Sequence, residues 1–542
     1  MVFFFSLVML WDNWQKYNQP KTPVATPAAT ATNALGLPVP AATPPGGAVV
    51  PASAPAAPAA GEQVTITTDL YQATLSSLGG ELVRLELLKH RAHDKSKNLV
   101  LFDAKHQYFA QSGLIGEGLP NHRTTYSVLK GPTTLAEGAT ELQLRLQTSG
   151  PDGAKITKIY TFKRGSYLID LAWEIDNPGK KPLTTNAYFQ MQRDDVGPEG
   201  ESSMVSTFTG PAVFTEAGKF QKVEFGDIVK GKEKGKFVTQ AKDGWLAMIQ
   251  HFYVTAWLPP TQLDREFYMG KVDTVNGKNL VRAGVILPLV VPAGSKASLN
   301  VGLYAGPQEQ SVLKTLAPGF DLVVDYGMLT ILAVPIFWLL QIIHAFVGNW
   351  GWAIVVLTIL IKLVFFPLSA ASYKSMAKMR KLTPKMMSLK ERYGDDRQKL
   401  NQEMMKLYQT EKVNPLGGCL PILVQIPVFI ALYWVLLGAV EMRDAPWILW
   451  IKDLSSADPY YVLPILMIVS MVVQTKLNPE PPDPIQAKIM KIMPYAFGVM
   501  FLFFPAGLVL YWVVNNIISI LQQWQITRMI EGGQKAANDA KA

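Results

Sequence analysis

Disulfides play no part in this chain: its 542 residues include a single cysteine, Cys419. An internal bridge needs two, so no disulfide framework holds a domain together or marks an oxidising compartment. Charge is scarce too, at 17% Asp, Glu, Lys and Arg against 49% hydrophobic residues. Residues 22–61 carry no charge at all and consist mainly of Pro, Ala and Thr. Such a composition cannot bury a core, so a disordered linker is expected over 19–61. Residues 62–320 show no metal-ligand cluster, no Ser/His/Asp arrangement and no phosphate loop. No enzyme activity, metal or cofactor is therefore expected.

What is present is apolar and uneven. "MVFFFSLVMLWDNW" opens the chain with about ten apolar residues, too few to span a bilayer of roughly 30 Å. No basic flank marks it as a signal peptide. It is expected to be an N-terminal membrane anchor over 1–18 whose true start lies upstream; the alternative is an interfacial segment.

Residues 62–320 are expected to form a soluble β-sandwich. In "GSYLIDLAWEIDN", Tyr167, Ile169, Leu171, Trp173 and Ile175 alternate with mostly polar partners. "ELQLRLQ" and "SLNVGLY" repeat the pattern, and period-two alternation bounded by Gly, Pro and Asn marks half-buried antiparallel strands. His90 and His93, among basic residues, read as a solvated turn.

The last 220 residues are membrane-like. Spans are expected over about 350–371, 417–439, 460–475, 489–504 and 507–526, with a short tail at 529–542. The apolar stretch within 321–348 is interrupted by Pro335 and either crosses the bilayer or lies in its interface. The net charge of +9 raises nucleic acid as a partner, but its placement argues otherwise. Residues 374–412 hold 11 Lys/Arg against five Asp/Glu, a surplus of six beside the spans. That bias follows the positive-inside rule and assigns this loop and the C-terminus to the cytoplasm; DNA is not an expected partner. Met376, Met379, Leu382, Met386 and Leu389, then Leu400, Met404 and Leu407, give the loop the apolar seam of a helical hairpin. Its outer face, with Lys378, Arg380, Lys381, Lys385, Lys390 and Arg392, is either solvated or a docking surface for anionic lipid or ribosomal RNA.

Lys362 breaks the first span. A lysine in mid-membrane costs about 2.5–3.5 kcal/mol on insertion scales. The basic loop begins about 15 Å further along the helix, beyond the reach of a lysine stem. No Asp or Glu occurs in any of the five spans. The ammonium therefore needs water, polar side chains or a transient partner. Thr358, Gln425, Gln474, Asn515 and Asn516 are the polar candidates, and together they point to a wet cavity in the bundle; the alternative is lipid thinned around the lysine.

Three stretches in order, "EKVNPLGGCLPILVQIPVFIALYWVL", "DPYYVLPILM" and "FPAGLVLYWVVNN", resemble the YidC family of bacterial membrane protein insertases. The resemblance covers about 321–528. It implies a multi-domain membrane protein of the inner membrane: an all-α five-helix transmembrane core with a cytoplasmic hairpin, a periplasmic β-super-sandwich and an N-terminal anchor. It also implies that 321–348 is an amphipathic interfacial helix on the periplasmic side. The implied partners are nascent membrane proteins, membrane lipids, the Sec translocon with its accessory subunits, and a ribosome or targeting receptor at the hairpin. By resemblance, a positive side chain in a hydrophilic groove attracts the polar flank of an incoming segment. Lys362 takes that position where the family usually shows arginine, keeping the charge without the bidentate fork. Thr358, Gln425, Trp512 and Asn515 would line the groove, and Phe429 and Tyr511 would touch the passing segment. An anion transporter or channel built around Lys362 is the alternative from another class, and a membrane-anchored carbohydrate-binding module is a third.

Overall fold

The computed structural model describes residues 61–199, 207–275, 277–393, 396–411, 420–478 and 484–539. The anchor over 1–18, nearly all of the 19–61 linker, Cys419, the start of the 417–439 span and the end of the tail lie outside the described residues. The chain divides into two compact units, one ending at Val324 and one beginning at Asp325.

The first unit is a sandwich of two antiparallel nine-stranded sheets. One sheet centres on Leu183–Asp194, paired with Lys278–Val291 on one side and Phe109–Ile115 on the other. The other runs through Ser295–Pro307, Leu168–Asn177, Lys155–Lys163 and Glu141–Ser149. Alternation in the sequence becomes alternation in burial: Ile169, Leu171, Trp173 and Ile175 are all buried, each on the inward side of a pleat that reverses at every residue.

A cation rivets the sheets together. Lys158 is fully buried, and its Nζ donates to the carbonyls of Gly79 (2.6 Å) and Ser112 (3.0 Å) in the opposite layer. The rings of Tyr126 and Trp173 lie 4.9 and 4.7 Å from the ammonium, so quadrupoles and carbonyl dipoles replace its lost water. Burial holds Lys158 down to about 7 and pushes neighbouring Glu81 up to about 7. His90 corrects the sequence expectation. It lies on the strand Glu81–Arg91, with Nε2 3.2 Å from the Tyr167 hydroxyl and its ring edge-on to Tyr253; only His93 is exposed.

The second unit is helical: α1 (Thr330–Val347), α2 (Trp350–Val364), α3 (Phe366–Tyr393), α4 (Arg397–Thr410), α5 (Leu420–Gly438), α6 (Val462–Leu477), α7 (Pro484–Phe501) and α8 (Ala506–Asp539). By length and composition α1 and residues 506–529 of α8 suffice to cross a membrane, and α2 with α3 makes a pair bent by 66°. The apolar stretch expected as one span over 350–371 therefore breaks at Phe365. The long helix α8 packs against α2, α3, α5 and α6, while α7 lies on α6. Large apolar side chains face outward, among them Phe346, Leu363, Val364, Ile465, Val469, Ile489 and Val499. Water would penalise such an exterior, whereas acyl chains accept it.

Candidate functional site: a buried cation in the helical unit

The geometry of the site follows from how one end of the bundle is tied. Asn349 caps α2 by accepting from Trp352 N at 3.1 Å, and its Nδ2 donates to the carbonyl of Pro446 at 2.9 Å. Trp447 then lies so close to Gly351 that an added Cβ would meet its ring at 2.3 Å. Asp458 is buried, accepts from Trp450 Nε1 (3.0 Å) and Tyr460 N (3.0 Å), and holds the start of α6 through Leu463 N at 2.8 Å. The carbonyls of Ser456 and Leu454 accept from Ala506 N and Gly507 N at the start of α8. The 440–461 loop thus joins the beginnings of α2, α6 and α8, and at this aromatic level Trp352 meets Trp447 edge-on and Trp450 meets Tyr460 edge-on, residue types suited to a membrane interface.

From that level α2 descends for 12 residues, about 18 Å, to Lys362. It lies in the last turn, just before the bend, where a cation also complements the helix dipole. Lys362 is 3% exposed. Its Nζ donates to Ser519 Oγ on α8 at 2.8 Å. Ser519 passes its own proton to the carbonyl of Asn515 at 2.7 Å, which leaves its lone pairs free to receive the ammonium. Among the described residues, Lys362 has no carboxylate partner.

The other expected groove residues divide. Thr358 is buried one turn before Lys362, with its hydroxyl donating at 2.7 Å to the carbonyl of Ile354 in its own helix. Asn515 joins the cation through Ser519. Asn516 turns instead toward α6, donating to Ser470 Oγ at 3.1 Å. Seven residues further along both helices, Gln523 donates to the carbonyl of Leu477 at 3.1 Å and to Asn478 Oδ1 at 3.3 Å. Equal spacing in the same direction means that α6 and α8 run parallel and are stapled every two turns. Gln425 on α5 and Gln474 on α6 are half-buried. Phe429 stacks on Tyr511 at 6.0 Å and meets Trp512 edge-on at 4.6 Å, and Trp512 meets Phe501 at 5.6 Å. These rings pack on one another, and Tyr511 is buried.

Ser519, Ser470, Gln522 and Gln523 were not among the residues expected from the sequence. A signal was available for most of them: polar residues recur at 515–516, 519 and 522–523, the spacing of one helix face.

At the basic loop, α3 and α4 lie side by side. Leu382 and Met386 are buried against Met379, Met404, Leu407 and Tyr408. Asp396 caps α4 by accepting from Lys399 N at 3.0 Å, and Lys385 reaches Glu411 at 2.6 Å. Lys378, Lys381, Lys385 and Arg392 are exposed and Lys390 is half-buried; the Arg380 side chain lies outside the described residues.

Comparison with known proteins gives two matching family models. One, described as the YidC periplasmic domain, matches residues 63–339; the other, described as 60Kd inner membrane protein, matches residues 342–534. The membrane protein insertase YidC of Dechloromonas aromatica is 64% identical over 547 residues, covering 100% of this chain and 98% of its own. That of Aromatoleum aromaticum is 56% identical over 548 residues with the same coverage. Among solved structures, an active YidC insertase with its first transmembrane domain resolved covers 85% of this chain and 91% of its own, at 20% identity and a TM-score of 0.39.

Proposed function

The chain belongs to the YidC family of membrane protein insertases, and from that premise we propose that insertion proceeds through a hydrated groove with Lys362 as its fixed positive charge. The protein is an inner-membrane insertase with a periplasmic domain, and nascent membrane proteins are its substrates. The observation that carries the groove reading is a buried ammonium held by one hydroxyl and no carboxylate among the described residues. A paired charge would be neutralised in place; this one keeps its field for a guest.

In this reading α2, α5, α6, α7 and α8 cross the membrane, with the tied aromatic end outward and the hairpin and C-terminus in the cytoplasm. Helix α1 lies at the outer surface. Were it to cross, the periplasmic domain before it and the aromatic level where α2 starts would stand on opposite sides. The polar flank of an incoming segment enters from the cytoplasmic end, and Lys362 offsets part of the desolvation cost of an acidic flank. The segment's apolar helix leaves along the outward apolar faces, driven by burial at about 25 cal/mol per Å². No covalent step is involved and no cofactor takes part. Gln425, Gln474, Trp512 and Asn515 belong to the polar path, with Phe429 and Tyr511 beside it, whereas Asn516, expected there from the sequence, is spent on Ser470 of α6. The exposed lysines of the α3–α4 hairpin dock a ribosome, a targeting receptor or anionic lipid, and the insertase works alone or with the Sec translocon.

Flank charge tests this. A single-span substrate with an acidic flank inserts into proteoliposomes about tenfold more slowly with Lys362→Ala, the worth of one charge-assisted contact, and normally with Lys362→Arg. Equal rates for wild type, Lys362→Ala and Lys362→Glu would overturn the charge role.

A further inference from the structure

Two adjacent glutamines near the inner end of α8 are both about nine-tenths buried, at 9% exposure for Gln522 and 5% for Gln523. Gln523 has a use, since its amide donates to the carbonyl of Leu477 at the end of α6 and to Asn478 Oδ1. The side chain of Gln522 makes no hydrogen bond among the described residues, and its Oε1 is shut away from solvent. A buried amide without a partner is costly, and leucine would fill the same space without that cost. On the helix wheel Gln522 stands about 60° from Ser519, on the side opposite the Asn516 and Gln523 staple. It therefore flanks the cation site and not the α6 contact. It also lies about 4.5 Å from Ser519 along α8, toward the hairpin end.

A second open group lies on the same helix. Trp512 Nε1 is buried with no acceptor, ten residues before Gln522, or about 15 Å along the axis. Four to five residues of extended chain, at about 3.3 Å each, cover that distance. One group accepts and the other donates, with Lys362 bound between them.

We propose that Gln522 is a backbone-binding subsite for the polar flank of the substrate. Its Oε1 accepts a peptide N–H and its Nε2 donates to a peptide carbonyl, while Trp512 Nε1 donates to a carbonyl further along the flank. Such pairing takes no account of side chains, so it serves flanks that carry no acidic residue and to which Lys362 offers nothing. The proposal rests on the groove being the insertion path, but its test is separate from that of the charge.

The test pairs Gln522→Leu with substrates whose neutral flank carries a backbone ester, introduced one position at a time as an α-hydroxy acid, which removes a single N–H donor. With the full-length wild-type protein in liposomes, an ester at one or two positions slows insertion about fivefold, the worth of one ordinary hydrogen bond. Gln522→Leu slows the all-amide substrate by a similar factor and no longer distinguishes amide from ester. Its melting temperature equals or exceeds that of wild type; Gln522→Met is the second variant if leucine does not fold. Insertion of neutral-flank substrates at the wild-type rate by Gln522→Leu overturns the proposal. So does an ester effect that persists undiminished in the variant, since the glutamine would then act only through packing. If Lys362→Ala leaves acidic flanks unaffected while the ester comparison behaves as expected, the charge reading fails and this one stands.

Discussion

Ser519→Ala separates a wet groove from a dry one. The serine is the side-chain partner of the Lys362 ammonium, 2.8 Å away, and its removal leaves the cation with whatever else the cavity offers. In a dry interior nothing replaces the hydroxyl, and an uncompensated buried charge costs about 3–5 kcal/mol. In a hydrated groove a water molecule takes its place and the loss falls to about 0.5–1.5 kcal/mol, the net worth of an ordinary hydrogen bond. Lys362→Met behaves oppositely in the two cases. It relieves a large strain in a dry site and changes little in a wet one. The assay is reversible unfolding in nanodiscs for wild type, both single variants and the double variant, which yields the coupling between the two positions. A hydrated groove predicts a cost of about 1 kcal/mol for Ser519→Ala and a coupling of similar size. A cost above about 3 kcal/mol, abolished when Lys362→Met is added, would show a dry, locked cation and rule out the hydrated groove.

Other consequences are more local. Burial raises Glu81 from 4.5 to about 7, so its stabilising contribution is complete below its ordinary value and lost as pH climbs to about 7. Thermal melts of the full-length protein should accordingly show wild type losing stability relative to Glu81→Gln between pH 4.5 and 7, and a constant difference there would contradict this. Gly351→Ala forces a Cβ to within 2.3 Å of the Trp447 ring; overpacking of this kind costs about 1–3 kcal/mol, read as a lower melting temperature and faster proteolysis of the 440–461 loop. Leu382→Ala removes half of the buried α3–α4 seam, so protease should cut the hairpin sooner while the bundle's melting temperature stays unchanged.

Much of the fold was legible in the sequence because it rests on periodicity. Alternation over Leu168–Asn177 is a property of the strand itself, and the apolar mass after residue 320 is a property of the solvent that the helices need. The oddity of Lys362 was legible for the same reason, since a charge in an apolar run violates a one-dimensional rule. What meets that charge was not legible. Ser519 lies 157 residues away and reaches Lys362 only because the 440–461 loop ties the starts of α2 and α8 to one level. Asn516, three residues before Ser519, looked equivalent in the sequence but faces Ser470 on α6. The bend at Phe365 did have a signal, since Pro367 two residues on suits the first turn of a new helix, but the apolar run was read through it as one span. His90 was misread for a related reason: its basic neighbours in the chain indicated water, while its neighbours in space are Tyr167 and Tyr253.

Solvent contact at the Lys362 partner is the most direct measurement. With Cys419 replaced by serine, Ser519→Cys provides one thiol at the cation, and maleimides react with a thiol only where water reaches it. If the groove is hydrated, a membrane-impermeant maleimide applied from the cytoplasmic side of intact vesicles labels Cys at this position, and a bound substrate flank protects it. A thiol that stays unlabelled until the membrane is dissolved would mean that the ammonium sits in a dry core, and the groove would have no physical basis.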